Sequence, residues 1–399
     1  MNPNLQRLQP YPFERLNALK AGITPAAGYP PVMLSIGEPK HPPPDFVVAA
    51  LAEPAGLTAG LGSYPATRGS AELRTAISDW LLRRYGVAAD PDQHVLPVSG
   101  TREALFGFAQ AVLSGDPDAV VVLPNPFYQI YEGATLLRGA TPWFVNCDAG
   151  NGYQPDYRSV PDSVWRRCEL LYLCSPGNPT GRNLERETLV WLLEQAERYD
   201  FVIAADECYA EIFFDDAHPP PGMLEAAASA GRHDFRRCVV FHSLSKRSNL
   251  PGLRSGFVAG DAELLRPYFQ YRTYQGAALP DHVQRVSAAA WRDEAHVRAN
   301  REAYRAKFAA VAPILAPHLT LTRPDGGFYH WVDVGEDDQT FARRLYAERN
   351  ITVLPGSYLS RDAHGSNPGA GHVRIAWVAP ADDCIAAART LAEWLPTRR

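Results

Sequence analysis

The sequence lacks most features that mark secreted, membrane-embedded or nucleic-acid-binding proteins. Its 399 residues hold six cysteines, Cys147, Cys168, Cys174, Cys208, Cys238 and Cys384. They are scattered without CxxC pairs, and several lie in apolar runs where Cys acts as a small hydrophobe, the pattern of a reduced, cytoplasmic protein. No apolar run approaches the roughly 18 residues of a spanning helix. The opening MNPNLQRLQPYPFERLNALK has no apolar core followed by small residues, so neither secretion nor membrane insertion is expected. Basic residues are not in surplus either: 39 Lys+Arg stand against 44 Asp+Glu, a net charge of −5. A chain that neutralises phosphate backbones would show the opposite balance, so nucleic acid is not an expected partner. Internal repeats and low-complexity tracts are also missing.

What is present is an ordinary globular composition, 46% hydrophobic and 21% charged, in a chain long enough for two structural parts. Pro and Gly cluster over 22–44, which predicts an irregular N-terminal arm ordered by something else. From 46 to 279, short β-like runs at 95–98, 119–123, 142–145, 169–174, 201–205, 238–241 and 256–259 alternate with helical patterns. That alternation predicts an α/β fold, and the almost continuous apolarity of several runs predicts a mainly parallel seven-stranded sheet covered by helices on both faces. From 280 to 399 long helical patterns (282–312, 339–350, 381–395) enclose strand-like runs at 328–334, 351–354 and 372–378, a smaller α+β domain. Residues 1–45 are expected to pack with it.

Four strand-end segments carry candidate chemistry. In FHSLSKRSNLPGLRSG (241–256), Lys246 follows an apolar strand, where open α/β sheets bind ligands and a desolvated amine can form an imine. Ser243, Ser245 and the fixed cation Arg254 suit a phosphate dianion; a solvated basic loop is the plain alternative. In FVIAADECY (201–209), Asp206 ends a buried strand, where an acid needs a charged partner such as a protonated pyridine nitrogen. Tyr209 could donate to a phenolic oxygen on such a ring, and a helix N-cap would explain the Asp equally well. CSPGNPTG (174–181) puts the Asn178 amide on a Pro-flanked turn. VSGTREAL (98–105) leads from a strand into a helix beginning near Thr101, whose free backbone N–H groups suit an anion; a plain capping box is the alternative, although GTRE does not fit its spacing cleanly. Tyr128 could stack on a planar ring or simply fill a core. Arg374, in the apolar strand HVRIAW, needs an anion, either a bound carboxylate or an internal salt bridge.

In order and spacing these segments, from Ser35 to Trp377, resemble the fold-type I, class I/II aminotransferases, which use pyridoxal 5′-phosphate (PLP). The resemblance implies that Lys246 carries the cofactor as a Schiff base, and that Ser243, Arg254, Gly100, Thr101 and Arg102 bind its phosphate. It also implies that Tyr128 stacks on the ring, Asp206 holds its protonated nitrogen, and Tyr209 and Asn178 meet its phenolic oxygen. Arg374 would fork onto the substrate carboxylate, with Asn178 and the backbone amide of Gly37 assisting. Tyr64, in YPATRG, would reach the phosphate of a neighbouring subunit, which implies a homodimer with small-molecule amino-acid and 2-oxo-acid substrates.

SIGEPKHP (35–42) and the Pro-rich arm are most similar to proteobacterial succinyldiaminopimelate aminotransferases of lysine biosynthesis, which use glutamate as donor. Lys40, His41, Arg68 and Arg272 are candidate cations for a long acidic substrate, although solvation at the surface is the ordinary role of each. A broad-specificity aspartate, alanine or aromatic aminotransferase, a PLP-dependent β-lyase and a cofactor-binding regulator share the same cofactor residues. The short, Pro-rich arm does not suit the DNA-binding helix-turn-helix module a regulator would carry.

Overall fold

A computed structural model gives the fold and describes residues 1–58, 60–276 and 278–398. Seven strands form the main sheet: β2 (Val95–Val98), β3 (Val120–Asn125), β4 (Thr141–Asn146), β5 (Cys168–Cys174), β6 (Val202–Asp206), β7 (Cys238–Ser243) and β8 (Gly256–Gly260). Their order is β2-β8-β7-β6-β5-β3-β4. β3 to β7 pair in parallel, while β8 runs antiparallel to both β2 and β7.

The two edges of this sheet differ: β2 is buried at every position although it is an edge strand. β3 and β6 are buried at every position, whereas the edge strand β4 is largely half-buried. Helices cover both faces. On one side Ala71–Tyr85, Arg186–Tyr199 and Asp281–Arg292 build a core around Trp80, Leu192 and Trp291. On the other, Thr101–Val112, Gln129–Leu137 and Ala262–Gln275 pack Phe108, Tyr131 and Tyr268 against Leu170, Tyr172 and Phe241. Each fully buried large side chain contributes about 1.5–3 kcal/mol by leaving water.

The second part holds an antiparallel sheet of β9 (Tyr329–Asp333), β12 (His372–Ala376) and β11 (Leu354–Pro355), together with helices Asp338–Arg349 and Ala381–Trp394. The N-terminal arm is ordered by backbone pairing with this part. Its short strand β1 (Val32–Met33) runs parallel to β10 (Ile351–Thr352), and Leu34 is fully buried in the second core.

Three expectations need correcting. The division after residue 279 falls too early, because helix Asp281–Arg292 belongs to the core of the large sheet, with Trp291 against Trp80 at 4.9 Å. The helical pattern 282–312 is two helices, broken at Asp293 and Glu294 before Ala295–Leu315 begins. The arm, moreover, does not pack wholly with the small part: Arg7 donates to the carbonyls of Gly139 and Ala140 beside the large sheet.

Candidate active site

Parallel strands bring their carboxyl ends to one side of a sheet, and here that edge opens into a cavity of about 580 Å³. Of the residues singled out in the sequence, Thr101, Arg102, Tyr128, Asn178, Asp206, Tyr209, Ser243, Lys246, Arg254, Gly37 and Arg374 line it. Gly100 stands just outside, with φ of 93°, and a Cβ there would fall on the Arg254 guanidinium. Tyr64 is fully exposed and does not line the cavity of its own chain.

The lysine end is desolvated. Lys246 follows β7 in a single helical turn, and its Nζ donates to the carbonyl of Gly37. Burial holds its ammonium down to about 8. Gly37 thus meets Lys246 through its carbonyl, and no Cβ could stand there because Tyr329 Oη occupies the space. Asn300, from the long helix Ala295–Leu315, donates to the Lys246 carbonyl at 3.1 Å and fixes this turn.

Asp206 is 5% exposed. Its Oδ2 accepts from Tyr131 Oη at 2.7 Å and its Oδ1 from the Cys208 amide at 3.2 Å. Burial pushes its pKa above the ordinary carboxylate range, and hydrogen bonds from Cys208 and Tyr131 oppose that shift. Tyr209 and Tyr329 share a hydrogen bond of 2.9 Å between their hydroxyls. Arg374 is 4% exposed. It donates to Asn178 Oδ1 at 2.8 Å and to the Ser35 carbonyl at 2.7 Å, its Nε is buried without a partner, and no carboxylate side chain pairs with it among the described ion pairs.

At the opposite end Arg254 sits with φ of 54° and donates to Glu103 at 3.1 Å. Ser243 Oγ accepts the Ser245 amide at 3.0 Å, and Arg102 Nε donates to the Tyr128 hydroxyl at 2.9 Å. The remaining cations named in the sequence do not line the cavity: Lys40 pairs with Glu38, which does, His41 with Asn300 and Arg272 with the Pro97 carbonyl, while Arg68 lies over Phe269.

Several groups of the site were not anticipated. Tyr131, three residues beyond Tyr128, lies behind the lining and reaches the site through Asp206. Glu103 follows Arg102, while Tyr329 falls in an aromatic strand with no polar signature. Tyr11 and Phe13 reach the cavity from the arm, which no local pattern could reveal.

The donor set fits PLP. A buried carboxylate that accepts only neutral donors lacks a cation, which a protonated ring nitrogen provides. Hydroxyls, an arginine and a helix N-terminus starting from a residue of positive φ suit a phosphate dianion. An arginine with a buried, unpartnered Nε and no acid opposite it suits a substrate carboxylate.

The comparisons with known proteins agree. The family described as aminotransferase class I and II matches residues 30–389. The crystal structure of an aminotransferase from Neisseria meningitidis is 48% identical, with a TM-score of 0.94, covering 99% of this chain and 100% of that one. An LL-diaminopimelate aminotransferase of Desulforudis audaxviator is 31% identical over 391 residues, 97% of this chain and 96% of its own length. The structure of a probable N-succinyldiaminopimelate aminotransferase from Thermus thermophilus is 27% identical, with a TM-score of 0.85, over 96% of this chain and 99% of that one. The chain therefore belongs to the class I and II aminotransferases, fold-type I enzymes whose cofactor is pyridoxal 5′-phosphate.

Proposed function

We propose that this aminotransferase moves the amino group of L-glutamate to N-succinyl-2-amino-6-oxoheptanedioate, giving N-succinyl-LL-2,6-diaminoheptanedioate and 2-oxoglutarate, as a cytoplasmic homodimer. The observation that carries transamination is the convergence of Lys246, Asp206, Asn178 and Arg374 on one cavity.

In this reading Arg374 and Asn178 bind the substrate α-carboxylate, which holds the α-carbon within reach of Lys246. Arg254, Ser243, Thr101 and the backbone at Gly100 and Arg102 anchor the phosphate, and Tyr128 lies against the ring. Bound there, PLP supplies an electron-withdrawing ring that takes up the charge left when the Cα–H bond breaks. Lys246 would take that proton and would be the group that hands it back to the cofactor. With water as co-reactant the donor would leave as its 2-oxo acid, its amino group being kept by the cofactor for the acceptor. Asp206 would hold a proton on the ring nitrogen, and Tyr209 with Asn178 would hold the phenolic oxygen. Because the donor's oxo acid leaves before the acceptor reacts, ping-pong kinetics follow.

The acceptor is argued from the rest of the cavity. Beyond Lys246 and Arg374 the lining includes Tyr11, Phe13, Ile36, Leu354 and Leu359, and Arg102 is already bonded to Tyr128. Such walls suit a long, acylated chain better than the short acid side chain of aspartate, and the likeness to the Thermus thermophilus protein points the same way. A second reading, unacylated diaminopimelate, is favoured by the likeness to the Desulforudis audaxviator protein. Running the reaction backwards separates the two: purified enzyme is given 2-oxoglutarate with N-succinyl-LL-diaminopimelate, LL-diaminopimelate, aspartate or alanine. The succinylated donor is expected to give a kcat/KM at least about tenfold above the others, a gap of about 1.4 kcal/mol. Preference for free LL-diaminopimelate would support the second reading, and equal rates on all four would indicate a broad-specificity enzyme.

A further inference from the structure

The proposed role of Asp206 leaves open what keeps a fully buried carboxylate ionised and correctly aimed. Its hydrogen bonds come from the Cys208 amide and from Tyr131 Oη, the latter at 2.7 Å. Tyr131 has no accessible surface. Its ring stacks on Tyr172 with centroids 4.6 Å apart and planes at 13°, and stands edge-on to Tyr128 at 5.7 Å. Tyr172 is in turn pinned by its hydroxyl to the Leu105 carbonyl at 2.8 Å. Ring packing on both sides therefore holds the phenol where its hydroxyl meets the carboxylate.

We propose that Tyr131 is a positioning residue for the reaction, its hydroxyl fixing Asp206 Oδ2 and favouring the carboxylate form so that Asp206 can keep the cofactor's ring nitrogen protonated. The inference rests on the assignment of Asp206 to that nitrogen and is independent of the acceptor.

The choice of a phenol has a chemical reason. A cationic donor in this place would compete with the pyridinium for the same carboxylate. A neutral donor stabilises the anion without cancelling its charge. Burial pushes the Tyr131 phenol far above its ordinary range, so it remains a donor at every working pH. The titratable groups facing Asp206 are Tyr131 in helix Gln129–Leu137 and Tyr128 at its N-cap, Cys174 at the end of β5, Cys208 beyond β6, His242 in β7 and Lys246. His242 lies beside Glu207 at 2.9 Å, and the thiols of Cys174 and Cys208 are held protonated by burial. Tyr131 is the side chain whose oxygen meets Asp206 at 2.7 Å, and it stays neutral in donating; the Cys208 thiol beside it is a second neutral group that lowers the pKa of Asp206.

Tyr131→Phe removes one oxygen and keeps the stack on Tyr172. The test reads the pH titration of the bound cofactor's visible absorption in the holoenzyme, with the single-turnover rate of glutamate and the unfolding midpoint of the apoprotein alongside. Without the phenol Asp206 is a stronger base and draws the ring proton toward itself. The ring is then less positive, and the Lys246 nitrogen joined to it keeps its proton to higher pH. We expect the absorption midpoint to rise by about half a pH unit or more, the single-turnover rate to fall roughly 10- to 100-fold, and the glutamate dissociation constant to stay within about threefold. Tyr172→Phe, which also removes one buried hydroxyl but leaves Asp206 untouched, is expected to keep the wild-type midpoint.

An unshifted midpoint and rate in a Tyr131→Phe enzyme of wild-type stability would overturn the inference, as would an equal shift in Tyr172→Phe. Asp206→Asn tests the underlying assignment separately. If Asp206→Asn changes neither spectrum nor rate, the role of Asp206 fails; if it changes both while Tyr131→Phe is silent, only the role of Tyr131 fails. Adding Tyr131→Phe to Asp206→Asn should produce no further shift.

Discussion

Lys246 is an ordinary residue made reactive by its surroundings. In water a lysine at pH 7 is less than about a thousandth neutral, whereas one titrating near 8 is about a tenth neutral. Burial is the main cause here, with the nearby Arg374 cation adding to it. The sign is that of a depressed base: the reactive amine gains population as pH rises through about 8 and is lost below it. The rate of cofactor capture by the apoprotein should therefore climb with pH around a midpoint near 8 and then level off, as followed by stopped-flow absorbance. A rate still rising towards pH 10 would mean that the lysine is solvated in the apoprotein. At this scale the sequence disclosed residue types and little geometry. Lys246, Asp206 and Arg374 could be singled out because a cation or acid in an apolar strand context needs a reason. Tyr131 and Tyr329 could not, since a buried tyrosine raises no question until its hydroxyl partner is seen. Gly37 shows the same limit: its place in the cavity was legible, while the contact of its carbonyl with Lys246 was not.

Elements were more legible than contacts. The runs at 95–98 and 256–259 correspond closely to β2 and β8, because apolar β-branched stretches bounded by turn residues leave few alternatives. Helix Asp281–Arg292 was harder. Its pattern continues into the next helix with the same periodicity, and only the left-over partners of Asp293 and Glu294 mark the break: Asp293 takes His296 and Glu294 takes Arg247. That helix also supports the active site. Trp291 packs on Trp80 and on Phe257 at 5.0 Å, and the Arg247 guanidinium lies 4.9 Å from its ring centroid. Arg247 itself, next to Lys246, donates to the Ala290 carbonyl at 2.8 Å. Trp291→Ala should cost about 3–5 kcal/mol in chemical denaturation, the range for deleting a large buried aromatic. It should also weaken PLP binding, because the turn bearing Lys246 loses its support. A loss under about 1 kcal/mol would show that the helix is not an integral part of the large core.

At the scale of the whole molecule, the fold places residues far apart in sequence, from Tyr11 to Arg374, around one cavity. Tyr64 lies away from it and is fully exposed, and Leu61 and Tyr274 are 70% and 87% exposed. Those exposures agree with the proposed second subunit covering this region. Light scattering should then give about twice the 43.9 kDa chain mass. Tyr64→Ala should weaken cofactor affinity by about tenfold, the order of one charge-assisted hydrogen bond, although Tyr64 is absent from its own chain's cavity. A fully active monomer would remove both expectations. The central claim, that Lys246 carries the cofactor, admits a direct chemical measurement, since the chain has four lysines, Lys20, Lys40, Lys246 and Lys307. Borohydride reduction of the holoenzyme, followed by proteolysis and mass spectrometry, should find the reduced pyridoxyl group on the peptide containing Lys246 and nowhere else. A label on Lys20, Lys40 or Lys307, or an active enzyme with no label at all, would contradict the account.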